Sequence, residues 1–198
     1  MRVKICGITN LKDALDAIDA GASSLGFVFY NKSKRYIEPL EAKKIISKLP
    51  PFVQTVGLFV NETALSINNI SKIASVDLAQ IHFEAKEELY DNLELKSIKV
   101  VRARNKDDIS FYEDEYRIVD AFVEQYGGEG KRLNIDWFKG VDCSKIILAG
   151  GLNASNLDDL KGLNFYSLDV SSGVELQKGI KSKEKMKEFI KLTNELCR

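Results

Sequence analysis

Four side chains able to move a proton or attack carbon, Cys6, Asp120, Asp169 and, less clearly placed, His82, fall at or just past the ends of short β-branched runs. An ionised thiol is a base or nucleophile, and a carboxyl is an acid or base according to its surroundings. Taken singly, each has an ordinary reading: an Asp there caps a turn, a Cys beside a glycine packs as a small apolar group, and a lone His is structural. Their coincidence at strand ends is what points to chemistry. Glycines add a second signal, with Gly127-Gly128-Glu129-Gly130-Lys131, Gly150-Gly151 and Ser171-Ser172-Gly173 each following a strand-like run. Such loops let backbone N–H groups approach an anion. None fits GxxxxGK[ST], so a Walker-type nucleotide site is not indicated. Arg35, in Asn31-Lys32-Ser33-Lys34-Arg35-Tyr36, could clamp a carboxylate or phosphate with its planar fork, or lie in a solvated loop.

The elements that would hold these residues alternate strictly between two periods. Strand patterns cover 3–8, 25–30, 53–60, 78–82, 99–103, 117–122, 145–149 and 165–170. Helical patterns cover 11–20, 38–49, 64–74, 86–93, 106–112, a weak turn near Trp137, 155–160 and 183–196. Alternation of this kind makes a parallel sheet covered by helices, because parallel neighbours need crossovers. Eight units in 198 residues, about 25 residues each, predict one (β/α)8 barrel domain over residues 1–198. An open doubly wound sheet would place GxGxxG after its first strand, and Cys6-Gly7-Ile8-Thr9-Asn10 is not that motif. In a barrel, residues at strand ends face one common mouth, and the loops after strands seven and eight often hold phosphate. Alternation puts Lys4 with Cys6, Gln80 with His82, Ile118 with Asp120, and Ser167 with Asp169. The lysines from Lys181 to Lys191 read as a solvated helix face opposite Met186, Phe189, Ile190 and Thr193, and Trp137 as packing.

Composition narrows the partners. The 29 Lys+Arg balance the 29 Asp+Glu, which argues against a nucleic-acid or anionic-membrane footprint. No apolar run approaches the ~18 residues of a membrane span, and the N-terminus has no signal-peptide layout. The three cysteines, Cys6, Cys143 and Cys197, are too scattered for a disulfide framework or a zinc site. A cytoplasmic protein acting on a small molecule is expected.

Together the motifs resemble the phosphoribosylanthranilate isomerase family, (β/α)8 enzymes of tryptophan biosynthesis. The resemblance spans nearly the whole chain. It rests on Lys4-Ile5-Cys6-Gly7-Ile8-Thr9, Gly26-Phe27-Val28-Phe29, Ser33-Lys34-Arg35-Tyr36-Ile37, Val56-Gly57-Leu58-Phe59-Val60-Asn61 and Gln80-Ile81-His82. It continues through Gly127-Gly128-Glu129-Gly130-Lys131, Leu148-Ala149-Gly150-Gly151-Leu152 and Asp169-Val170-Ser171-Ser172-Gly173-Val174-Glu175. It implies an Amadori rearrangement with Cys6 as general base, Asp120 as general acid and Arg35 on the anthranilate carboxylate. Gly150, Gly151, Asp169, Ser171, Ser172 and Gly173 would bind the phosphorylated substrate. No metal or cofactor is implied, and the chain would be a monomer or homodimer. Phe83 departs from the family pattern, standing where a glycine usually follows the histidine, as do Glu129 in its loop and Lys34 in place of a proline. Two extra residues lie between Lys131 and Asp136-Trp137. The acid needs its proton held to near neutral pH, and the base needs to be partly thiolate. Other readings of the same residues are a pentose-phosphate epimerase, Cys6–His82 acyl transfer, and a silent phosphate-binding barrel.

Overall fold

A computed structural model of the protein describes residues 1–123 and 132–196. The glycine loop 127–131, with Glu129, and Cys197 lie outside the described residues. Eight strands form a closed barrel in chain order: β1 (Arg2–Cys6), β2 (Ser24–Val28), β3 (Gln54–Phe59), β4 (Leu78–Ile81), β5 (Lys96–Ala103), β6 (Arg117–Ala121), β7 (Ile146–Leu148) and β8 (Ser167–Val170). Every neighbouring pair is parallel, and β8 closes on β1 with Lys4 beside Asp169. The expected barrel is the observed one.

Helices α1 (Leu11–Ala20), α2 (Pro39–Ile46), α3 (Ala64–Ala74) and α4 (Glu87–Asp91) follow the first four strands, and α5 (Lys183–Glu195) ends the chain. Their starts are chemically marked. Asn10, Thr63 and Ser182 each accept a hydrogen bond from a first-turn backbone N–H, and Pro39 opens α2. After β5 and β7 the expected helices are short 3₁₀ segments, Asp107–Ser110 and Ala154–Leu160, and the weak turn expected near Trp137 is the 3₁₀ segment Ile135–Phe138. These short segments keep only about one turn or two of the tighter form where the other connections carry α-helices. A small hairpin, β9 (Glu175–Gln177) with β10 (Ile180–Lys181), stands between β8 and α5 and was not expected. Its strands are too short to leave an alternation signal.

Two apolar layers hold the barrel. The larger packs outward-facing strand residues such as Ile5, Phe27, Phe59 and Leu168 against helix residues including Ala14, Ala42, Ile67 and Phe189. The smaller gathers Ile118, Ile147 and Ala149 with Ile98 and Val100, which alternate with outward-facing residues along β5, β6 and β7 and so fill the barrel interior. A cluster of polar side chains lies at the end of that interior where the strands finish. Among the described residues, no helix is long and apolar enough to cross a membrane.

Candidate active site

A cleft opens at the C-terminal ends of the strands, and Cys6, Arg35, His82, Asp120 and Asp169 all line it. Cys6 is the last residue of β1, and Asp120 and Asp169 are the penultimate residues of β6 and β8. The gathering of separate strand ends follows from closure of the sheet.

Asp120 is held as an acid. Its Oδ1 accepts a hydrogen bond from the Ala121 N–H at 2.7 Å. Burial and then the negative charge of Asp169 push its pKa up to about 7, against the pull of the Ala121 N–H, Arg102 and Lys4. His82 lies beside it, with Nε2 3.8 Å from Asp120 Oδ2, while its Nδ1 is 3.3 Å from Gln80 Nε2. Burial, Arg102 and Lys4 lower His82 to about 3, so the ring is neutral at working pH. This neutral ring neighbours the acid. It gives no support to a Cys6–His82 nucleophilic pair.

Cys6 departs from the expectation of a partly ionised thiol. Burial raises its pKa, and Asp169 adds to that, while the cations Lys4 and Lys181 pull the other way without prevailing. The thiol is protonated unless something further favours the anion.

Behind this wall runs a network of buried charges. Arg35 is only 6 % exposed, and it gives Nε and Nη2 to the two oxygens of Glu175 at 2.8 and 2.7 Å. The solvated-loop reading therefore fails for Arg35, although Lys32 and Lys34 are exposed. Gly7, at φ +77°, lets the arginine cross the chain, since a Cβ there would lie 2.5 Å from Arg35 Cδ. Lys181 corrects the expectation of a solvated lysine face. It precedes the helix, its side chain is 0 % exposed, and it pairs with Glu175 at 2.9 Å. Its ammonium also donates to the carbonyl and hydroxyl oxygens of Ser171 at 3.2 and 3.3 Å, and the Ser171 hydroxyl donates to the Cys6 carbonyl at 3.0 Å. Glu175, buried between two cations, is driven below its ordinary range although burial alone would raise it.

The loops after β7 and β8 close the remaining side. Gly150 and Gly151 have φ of +88° and +62°, a backbone that L side chains rarely adopt, and both border the cleft with Ser171 and Ser172. Gly173 does not border it. It packs so tightly that a Cβ would fall 1.9 Å from the Leu152 carbonyl oxygen, which locks the two loops together.

Residues 3–192 match the family model described as N-(5'phosphoribosyl)anthranilate (PRA) isomerase. The chain is 56 % identical over 191 residues to the N-(5'-phosphoribosyl)anthranilate isomerase of a Sulfurovum species, covering 96 % of this chain and 97 % of that protein. The enzyme of the same name from a Nitratiruptor species is 55 % identical over 190 residues, again 96 % and 97 % of the two chains. The chain belongs to the phosphoribosylanthranilate isomerase family. It is therefore an isomerase. The crystal structure of the Thermotoga maritima phosphoribosyl anthranilate isomerase superposes with a TM-score of 0.90 at 38 % identity, over 98 % of this chain and 99 % of that one. Another solved phosphoribosyl anthranilate isomerase, in complex with reduced 1-(o-carboxyphenylamino)-1-deoxyribulose 5-phosphate, gives 0.86 at 35 % identity over the same shares.

Within this isomerase fold, Cys6, Arg35, Gly150, Gly151, Asp169, Ser171 and Ser172 share one cleft with Asp120, and Gly173 supports it from behind. Sequence reasoning missed Lys4, Glu175 and Lys181 as parts of the site. Lys4 carried a signal, since it shares a face with Cys6. Glu175 stood in a quoted motif with no assigned task. Lys181 carried none, because only the hairpin folds it inward.

Proposed function

We propose that the chain converts N-(5'-phosphoribosyl)anthranilate to 1-(2-carboxyphenylamino)-1-deoxyribulose 5-phosphate, with Asp120 as general acid and Cys6 as general base. The observation that carries this reading is a carboxyl kept protonated to about pH 7 in the same cleft as a thiol flanked by cations. Asp120 protonates the furanose ring oxygen, the C1′–O bond breaks, and the nitrogen lone pair forms a cationic imine at C1′. The Cys6 thiolate then takes the C2′ proton, and the electrons of that C–H bond flow toward nitrogen to give an enolamine. A proton added at C1′, with loss of the C2′ hydroxyl proton, gives the ketone. Oxidation at C2′ and reduction at C1′ are internal to the substrate, so proton transfers suffice and no cofactor enters this scheme.

Support for the remaining roles is geometric. Glu175 engages two nitrogens of Arg35 and leaves Nη1 for the anthranilate carboxylate. Backbone N–H groups of Gly150 and Gly151, left-handed glycines that present successive donors, and of Ser172 suit the phosphate, with Gly173 holding the two loops together. Asp169 Oδ1 is buried, takes no hydrogen bond from the protein and belongs to a cleft-lining residue, which suits a sugar hydroxyl donor. This reading makes a small phosphorylated molecule the partner. It places a single-domain monomer or homodimer in the cytoplasm, in tryptophan biosynthesis.

Substrate fluorescence tests it directly. Asp120→Asn and Cys6→Ser should each lower turnover by about 10²–10⁴-fold, with substrate affinity changed much less and the fold kept. Near-normal turnover in Cys6→Ser together with its abolition in His82→Gln would overturn the assignment.

A further inference from the structure

Strand β1 carries an inward-facing cation two residues before the thiol. Lys4 is buried, and its ammonium donates to Asp169 Oδ2 at 2.8 Å, as the β1–β8 register dictates. The same ammonium and the Cys6 sulfur share the space over Gly26 on β2. A Cβ built on Gly26 would lie 2.8 Å from Sγ and 3.1 Å from Nζ, so the two groups are no farther apart than those distances combined. Only a residue without a side chain leaves room for that approach. A buried Lys–Asp pair is a weak stabiliser compared with apolar residues of the same volume, so its position against the thiol calls for a chemical reason.

We propose that Lys4 is a positioning residue for the base: its ammonium, anchored by Asp169, stabilises the Cys6 thiolate that removes the C2′ proton. This rests on the reading of Cys6 as the base. The charged groups facing the thiol are Lys4 from β1, Asp169 from β8, Lys181 from β10 and Arg35 from the loop after β2. Arg35 and Lys181 are both tied to Glu175, and Lys181 to Ser171 as well. Lys4 has Asp169 as its anchor, and Asp169 still has Oδ1 to offer a cationic intermediate. As that imine forms, Asp169 is drawn to it and more of the Lys4 charge serves the sulfur. Burial works against the Lys4 ammonium, yet Asp169 and Cys6 more than offset it, so the cation persists at any working pH.

The test reads the thiol itself. Iodoacetamide alkylation of Cys6, followed by mass spectrometry of its peptide, is measured against pH in the full chain and in Lys4→Met, Lys4→Arg and Lys4→Met/Asp169→Asn. An opposite charge at this range shifts a titration by about one to three pH units. Lys4→Met should therefore slow alkylation about tenfold or more at pH values below the thiol midpoint, and Lys4→Arg should restore most of it. The double variant removes the buried pair as a unit and avoids a stranded charge; because Asp169 itself opposes the thiolate, it should react between Lys4→Met and the full chain. Loosening of the fold would expose the sulfur and speed alkylation, the opposite sign. Lys4→Met within about twofold of the wild type overturns the proposal, as does a double variant slower than Lys4→Met. Failure of the base assignment shows separately, as turnover retained in Cys6→Ser, and does not alter the alkylation result.

Discussion

Sweeping the pH from about 5 to about 10 should carry kcat/KM through a rise that ends near 7, a plateau, and a fall beyond the thiol's own range. The roles assigned to Asp120 and Cys6 require the carboxyl protonated and the thiol ionised. Asp120 titrates at about 7, and burial lifts Cys6 above the ordinary 9.0 of a thiol. The acid thus loses its proton before the base does. Below the first value Asp120 stays protonated and each pH unit brings about tenfold more thiolate, so the rate climbs about tenfold per unit. Between the two values every gain in thiolate is cancelled by an equal loss of protonated carboxyl. With at least about two units between them, the active form on the plateau is at most about one hundredth of the enzyme, and pH 5 should lie about 100-fold below it. The assay is the loss of substrate fluorescence at substrate concentrations well below KM. Asp120→Asn supplies the decisive comparison, since titration of the substrate phosphate affects both proteins alike. Without the carboxyl, the rising limb of the residual activity should move from about 7 into the thiol's range. A wild-type rate still climbing through about pH 8 with no break near 7 would refute the argument, and so would an unchanged limb in Asp120→Asn.

Three further outcomes follow from the network around the cleft. Glu175→Gln strands two buried cations and should lower the unfolding free energy by about 3–5 kcal/mol in urea titrations, with weaker substrate binding through a loosened Arg35. Gly173→Ala forces a methyl against the Leu152 carbonyl and should separate the two glycine loops, raising the Kd for inorganic phosphate by about tenfold or more, measured by calorimetry. His82→Gln should leave the shape of the pH profile unmoved and turnover within about tenfold of the wild type, because the imidazole is already neutral throughout.

Much of this protein was legible before any coordinates. The change from short β-branched runs to helical patterning, repeated eight times, follows from the need of each strand to bury both faces and of each helix to bury one. It predicts the barrel, and the barrel predicts that Cys6, Asp120 and Asp169 meet at one mouth. The glycine pairs announce close backbone approach because no other residue permits it. Two features were out of reach. The patterns after β5 and β7 read as helices, and the structure forms 3₁₀ segments there. Lys181 looked like the start of a solvated lysine face, and the β9–β10 hairpin turns it onto Glu175, which lies close in sequence but becomes its partner only through that fold.

Charge state divides the two sources of information most sharply. Residue types and spacing determine which groups can be acid and base, since these follow from covalent chemistry and strand alternation. Only the tertiary structure decides which of them holds its proton. Burial beside Asp169 keeps Asp120 protonated to about 7, and burial outweighs Lys4 to keep Cys6 a thiol. Solvation and charge–charge energies depend on distances between strands far apart in the chain, such as Lys4 and Asp169, and closure of the barrel brings those strands together.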